Sequence, residues 1–167
     1  GYGYGSTATL GYLNDLWKYD NNPASATYGQ WTWISGSNTI SAVGVYGTKG
    51  VTTATNVPGA RQGSTTWNDS SGNLYLFGGT GPVGTFNDLW KFDNNPASAT
   101  YSQWTWISGA STVNVVGVYG TKGVTSATNM PGARFWQISW SDASGNFYLF
   151  GGNNGTGLLN DLWKYQP

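Results

Sequence analysis

The sequence predicts an all-β chain built from a repeated antiparallel unit, and three observations carry that expectation. A seven-residue string occurs three times at a spacing of 73: NDLWKYD at Asn14–Asp20, NDLWKFD at Asn87–Asp93 and NDLWKYQ at Asn160–Gln166. Between the first two copies, 39 of the 48 residues from Asn14 to Arg61 recur unchanged in Asn87–Arg134. A fixed period of this kind marks one supersecondary unit copied and stacked on itself. Second, short apolar or alternating segments are bounded by Gly, Pro, Asn and Asp clusters, which is the pattern of brief strands joined by turns. Third, ten Trp, eleven Tyr, six Phe and 26 Gly in 167 residues combine large pieces of buriable apolar surface with abundant turn formers.

The central copy gives each strand in order. Gly63–Trp67 is a short first strand after Pro58-Gly59-Ala60-Arg61, and Asn68–Gly72 is a hairpin turn. Asn73–Phe77 follows, apolar at nearly every position and expected to be buried on both faces; Gly78-Gly79 ends it. Beyond a Gly-rich loop, Asn87–Asp93 is a third strand with Leu89 and Lys91 on one face and Trp90 and Phe92 on the other. Asn94-Asn95-Pro96 opens a turn cluster, and Gln103–Ser108 is the fourth strand, with Trp104 and Trp106 on one face. Four short antiparallel strands per unit suit the blade of a β-propeller.

Composition excludes several chemistries. Cysteine, histidine and glutamate are absent, so disulfides, thiolate or imidazole metal sites and His-dependent nucleophile triads have no residues to build them. Seven basic and seven acidic groups give no basic surface for nucleic acid, and no apolar run approaches the length of a membrane span. Sparse charge with much Gly, Thr, Ser, Asn and aromatic residue suggests a secreted or cell-surface protein.

PGAR, LYLFGG, NDLWKFD and WTWIS together resemble the kelch repeat of galactose-oxidase-like propellers, of bacterial extracellular type. The double glycine corresponds to Gly78-Gly79 and Gly151-Gly152, and the trailing aromatics to Trp31/Trp33 and Trp104/Trp106. The resemblance implies slightly more than two blades. Residues 1–36 form a partial blade, 59–108 a complete one and 132–167 another partial one, joined by long connections at 37–58 and 109–131. Two blades cannot close a ring, so closure is expected to require other copies or further chain. One copy's spare strand could add to another's open edge. The resemblance carries over no copper radical chemistry, because that site needs His and a Cys–Tyr cross-link.

Every charge has a charged counterpart 73 residues away, so none marks a unique centre. Asp15, Asp88 and Asp161 read as turn caps, and Arg61 and Arg134 as partners of a carboxylate or of backbone carbonyls. Trp17, Trp90 and Trp163, with the paired glycines, read as scaffold repeated in each unit. No catalytic residue, metal site or cofactor is predicted. Single-carboxylate loops at Asn68–Gly72 and Ser141–Gly145 are too poor in oxygen ligands for calcium.

The positions where the copies differ are the candidates for binding. Gln62–Thr66 becomes Phe135-Trp136-Gln137-Ile138-Ser139, and Thr80–Val83 becomes Asn153-Asn154-Gly155-Thr156; in the first unit this loop is longer, Tyr2–Leu13. Phe135, Trp136, Asn153 and Asn154 are the candidate ligand residues, with the two aromatics expected on opposite faces of a strand. The leading expectation is a non-enzymatic module for protein binding or self-assembly. Carbohydrate recognition by loop and channel aromatics, and a glycoside hydrolase or lyase using Asp pairs, remain open beside it.

Overall fold

The computed structural model describes residues 1–167. It is all-β, with no helix, and its thirteen short strands form several small antiparallel sheets. Strands β1 (Tyr2–Tyr4) and β2 (Leu10–Tyr12) make a hairpin, and β3 (Leu16–Tyr19) pairs with β4 (Trp31–Ser35). The central sheet has β5 (Thr65–Asn68), β6 (Leu74–Phe77), β9 (Leu89–Phe92) and β10 (Trp104–Ser108) in simple meander order. Between its second and third strands, β7 (Thr80–Gly81) and β8 (Gly84–Thr85) form a small hairpin. The last sheet comprises β11 (Ile138–Ser141), β12 (Phe147–Phe150) and β13 (Leu162–Tyr165).

Turn chemistry sets the boundaries. Asp69 accepts from the backbone N–H of Ser71 (2.9 Å) and Asn73 (3.0 Å), closing the β5–β6 turn; Asp142 repeats this with Ser144 and Asn146 (both 2.9 Å). Asp20 and Asp93 organise the β3–β4 and β9–β10 loops by accepting from Asn22 and Asn95 N–H at 3.0 Å and from Thr27 and Thr100 hydroxyls at 2.6 Å. Gly78 and Gly79 both lie at positive φ (65° and 97°), as do Gly151 and Gly152 (65° and 96°), so the second strand of each unit stops in a left-handed step. A Cβ on Gly79 would lie 2.8 Å from the Gln62 carbonyl.

The three sheets stack in chain order through unlike faces. Trp90, Phe92 and Trp104 on one face of the central sheet pack against Leu16 and Ile34 of β3–β4. The opposite face carries Trp67, Tyr75, Phe77 and Leu89, which pack on Phe147, Leu149, Trp163 and Tyr165 of the last sheet. Trp67 and Phe147 are stacked at 5.4 Å, and the Trp67 indole N–H donates to the carbonyls of Trp140 and Tyr148. Each unit therefore buries a leucine-bearing face against the tryptophan-bearing face of the next.

Two strand-level expectations change. The first central strand runs Thr65–Asn68 rather than Gly63–Trp67, because Gly63 takes φ 66° and cannot continue a strand. Only one face of β6 is fully buried: Tyr75 and Phe77 are enclosed, while Leu74 and Leu76 are half-buried. The two-stranded β3–β4 sheet opposite them is too narrow to cover them. The long connections are themselves folded. In residues 37–58, Val45 bridges Val57 and Ala42 O accepts from Ala60 N–H (2.9 Å); Val118 bridges Met130 in residues 109–131.

Candidate functional site

The most elaborate polar arrangement in the chain is a knot around Arg61. Its guanidinium donates to both oxygens of Asp88 (2.6 and 2.8 Å), to Gly59 O (2.9 Å) and to Gly78 O (3.0 Å). Asp88 also accepts from the Tyr46 hydroxyl and the Trp90 indole, each at 2.7 Å. The guanidinium lies 4.1 Å from the centre of the Phe86 ring. Arg61 and Asp88 are 4% and 0% exposed, so the pair is fully enclosed. Burial alone would lower the Arg61 pKa, but the adjacent Asp88 carboxylate raises it and keeps the guanidinium charged. Burial and then the Asp88 charge push the Tyr46 phenol well above its ordinary value.

The knot is repeated one period later. Arg134 donates to Asp161 at 2.6 and 2.7 Å, to Gly132 O and Gly151 O at 3.0 Å, and Asp161 accepts from Tyr119 (2.8 Å) and Trp163 (2.6 Å). Burial pushes the Asp161 carboxyl up, but hydrogen bonds from Arg134, Trp163 and Tyr119 outweigh it and hold the group well below the usual carboxylate range. Leu159 stands where the first knot has Phe86, and beside it lies an open cleft of about 620 Å³ lined by Tyr119, Arg134, Asn154, Thr156 and Val116 among others.

These knots correct the expectation for the repeated aspartates. Asp88 and Asp161 do not cap turns; they terminate a buried ion pair that ties PGAR to the NDLWK strand and the preceding connection. Turn capping belongs to Asp20, Asp69, Asp93 and Asp142. Asp15 has no guanidinium partner and accepts only from the Trp17 indole at 2.7 Å. Both oxygens of Asp88 are occupied and shielded from solvent, so this carboxylate is not presented to a substrate.

The four candidate ligand residues do not converge. Phe135 and Trp136 do not alternate across a strand: Trp136 adopts φ 57°, which turns its ring edge-on to Phe135 at 4.9 Å. Trp136 is 67% exposed and lies over Gly63, its own counterpart one period earlier, which has the same left-handed backbone. Asn153 pairs with Phe135 through the backbone (2.9 and 2.8 Å), and its side-chain oxygen accepts from Gly155 N–H. The Asn154 oxygen accepts from Thr156 N–H, the Thr156 hydroxyl and Gly157 N–H. Asn154 lines the cleft; Phe135, Trp136 and Asn153 do not. Among these residues, no group of three or more acidic side chains stands close enough to hold a metal ion.

Two exposed aromatic faces lie apart from the four candidate ligand residues. On β3–β4, Trp17, Tyr19, Trp31 and Trp33 are 49%, 47%, 64% and 46% exposed, with Trp17 stacked on Trp33 and Tyr19 tilted against Trp31. On the far side of the last sheet, Ile138, Trp140, Phe150 and Leu162 are likewise exposed. Their counterparts in the central unit are buried, apart from the half-buried Trp106. The signal in the sequence was the 73-residue period itself, which makes the outer units copies of an enclosed one.

No protein-family model matches the chain. It is 34% identical over 94 residues to Tip elongation aberrant protein 1 of Schizosaccharomyces pombe, a match covering 56% of this chain and 7% of that protein. The chain has no helix long and apolar enough to cross a membrane.

Proposed function

We propose that this chain is a non-enzymatic, kelch-like β-propeller module of a secreted or surface protein, and that it mediates protein binding or self-assembly by strand addition at its open edges. In this reading the central sheet is one complete blade, and the flanking sheets are the last two strands of one blade and the first three of another. One observation carries it. Trp90, Phe92 and Trp104 are buried in the central unit, while their equivalents Trp17, Tyr19 and Trp31 lie open at one end, and an unlike apolar face lies open at the other. Contiguous aromatic surface of this kind, beside unpaired strand edges, is the physical mark of an interaction site. Consecutive units already bury these two kinds of face against each other, so completing the last sheet of one copy with β3–β4 of the next would bring both open faces against a neighbouring unit. Such a head-to-tail contact gives a ring when it closes and a filament when it does not. The secreted or surface setting rests on composition.

The test is the particle mass of the native protein by light scattering coupled to size exclusion. Discrete multiples of 17.8 kDa, or filaments on imaging, are expected. Trp31→Ser with Trp33→Ser should return the protein to single chains without loss of secondary structure. A wild type that remains one chain at high concentration refutes self-assembly.

A further inference from the structure

We infer that residues Lys122–Asn129 are a clasp for strand β4 of a second copy, and that this strand arrives with its own β3, which takes the place of β13. The inference deepens the self-assembly reading above and rests on it.

The first connection shows what such a clasp does. Residues Lys49–Asn56 lie along the outer edge of β10, in the unit that follows them. Lys49 Nζ donates to Gly109 O (2.7 Å) and Gly50 N–H to Trp106 O (2.8 Å). The Thr52 and Thr105 hydroxyls are hydrogen-bonded at 2.6 Å, Thr53 bridges Trp104, and Asn56 Nδ2 donates to Trp104 O at 3.1 Å. Lys49 also stands 4.5 Å from the centre of the Trp106 ring. The outer edge of the central sheet is thereby covered, and Asn56 is 4% exposed.

Residues Lys122–Asn129 repeat Lys49–Asn56 with a single change, Ser126 for Thr53. The loop is already shaped: Asn129 Nδ2 donates to Val124 O at 2.9 Å, as Asn56 does to Val51 O at 2.9 Å. No strand is seated on it. Lys122 and Thr125 are exposed, and Asn129 Nδ2 reaches no strand carbonyl like the Trp104 O that Asn56 Nδ2 holds. The strand held by the first clasp reads Trp-Thr-Trp-Ile-Ser, and that string occurs in one other place, β4. β4 pairs only with β3, leaving its outer edge open. The chain thus carries an empty clasp and a free copy of the strand that such a clasp grips.

Strand β3 can follow β4 into the second copy because β3 and β13 are the same string, Leu-Trp-Lys-Tyr. β13 is bonded on one edge, to β12, and Asn14 and Asn160 lie two periods of 73 apart. The exchange replaces like with like against β12, and adds a fourth strand with its clasp. It also gives Asp15 the guanidinium it lacks. Entering beside Arg134, Asp15 meets the donors that Asp161 now uses, Arg134 and Tyr119, and brings its own indole bond from Trp17 in place of that from Trp163. The incoming Trp33 stands to Tyr119 as Trp106 stands to Tyr46, whose rings meet edge-on at 5.1 Å.

The chain has no cysteine, so a paired replacement reads this contact directly. By analogy with Thr52 and Thr105, the facing pair is Thr125 of one copy and Thr32 of the next. The double variant Thr32→Cys/Thr125→Cys should give, on mild oxidation, a reducible ladder of multiples of 17.8 kDa. Thr52→Cys/Thr105→Cys should close within one chain and establishes that the geometry permits the bond; Thr32→Cys/Ser70→Cys should form no ladder. Independently, Asn129→Ala should raise the concentration of half-assembly about tenfold, the loss of one buried hydrogen bond. Absence of the ladder, or an unchanged midpoint in Asn129→Ala, while the wild type scatters as multimers, overturns the clasp and leaves strand addition standing. A wild type that stays a single chain at its highest soluble concentration overturns both, and assigns the clasp to a further repeat of the same chain.

Discussion

The three aspartates of the repeated NDLWK string provide a graded experiment, because one residue type in one local sequence meets three environments. Asp88 is 0% exposed and carries four hydrogen bonds, two of them from an Arg61 that is itself enclosed. Asp88→Asn keeps the volume but leaves a buried guanidinium without its counter-ion, which costs about 3–5 kcal/mol. For a chain of this size that lowers Tm by about 6–20 °C. Asp161 has the same partners but its side chain is 16% exposed, so water relieves part of the loss. Asp161→Asn should cost about 1.5–3 kcal/mol, the range for hydrogen bonds to charged groups. Asp15→Asn keeps an oxygen that can accept from the half-exposed Trp17 indole and should stay within about 0.5 kcal/mol. Urea unfolding followed by tryptophan fluorescence and circular dichroism measures all three. The double variant Arg61→Met/Asp88→Leu should recover only part of the loss from Asp88→Asn, because it removes the stranded charge but leaves the Tyr46 hydroxyl and the Trp90 indole without an acceptor. Equal costs at the three positions, or the greatest cost at Asp15, would refute the claim that tertiary enclosure sets the worth of this residue.

The same comparison applies to tryptophan: Trp90→Ala should cost about 3–5 kcal/mol, whereas Trp17→Ala, which is half exposed, should change the stability of the isolated chain by less than about 1 kcal/mol in the same unfolding assay. Glycine should divide by surroundings. Gly72 and Gly109 both lie at positive φ (81° and 82°), but a Cβ on Gly109 would fall 2.1 Å from Asn87 O while one on Gly72 meets nothing within 4 Å. Gly72→Ala should therefore lose about 1–2 kcal/mol from the left-handed backbone alone, and Gly109→Ala clearly more, read from denaturation midpoints. Acid should weaken the fold. The carboxyls of Asp161, Asp93, Asp69 and Asp142 are all held below the ordinary carboxylate value, so their contribution is present above about pH 4 and is lost as pH falls through their folded values. Asp161 and Asp69 should dominate a stability profile between pH 7 and 2, since Asp93 and Asp142 lie at the surface and are screened. A flat profile below pH 4 would contradict this.

The period of 73, the turn clusters and the alternation were sufficient to place nine of the strands and to give Arg61 and Arg134 a carboxylate or backbone carbonyls as partners. They also placed Trp90 and Phe92 opposite Leu89 and Lys91, because strand geometry alone puts alternate residues on opposite faces. The short hairpins β1–β2 and β7–β8 escaped notice because Gly-rich strands of two or three residues are too short to establish a period of two. Trp136 was misplaced for a related reason: its left-handed backbone is visible in the sequence only through Gly63, its partner one period earlier. The carboxylate partners were not legible either, since Arg61 and Asp88 lie 27 residues apart and meet only when the sheet folds.

Repetition makes the division plain. Local sequence determined where the chain is extended, where it turns, and which residues share a face, because those depend on backbone sterics and a period of two. It could not distinguish Asp15 from Asp88, Trp17 from Trp90 or Asn56 from Asn129, whose immediate neighbours in sequence are nearly identical. Only the stacking of units decided that one of each pair is enclosed and the other is left more exposed, because burial is a property of what lies across the interface and not of the strand itself.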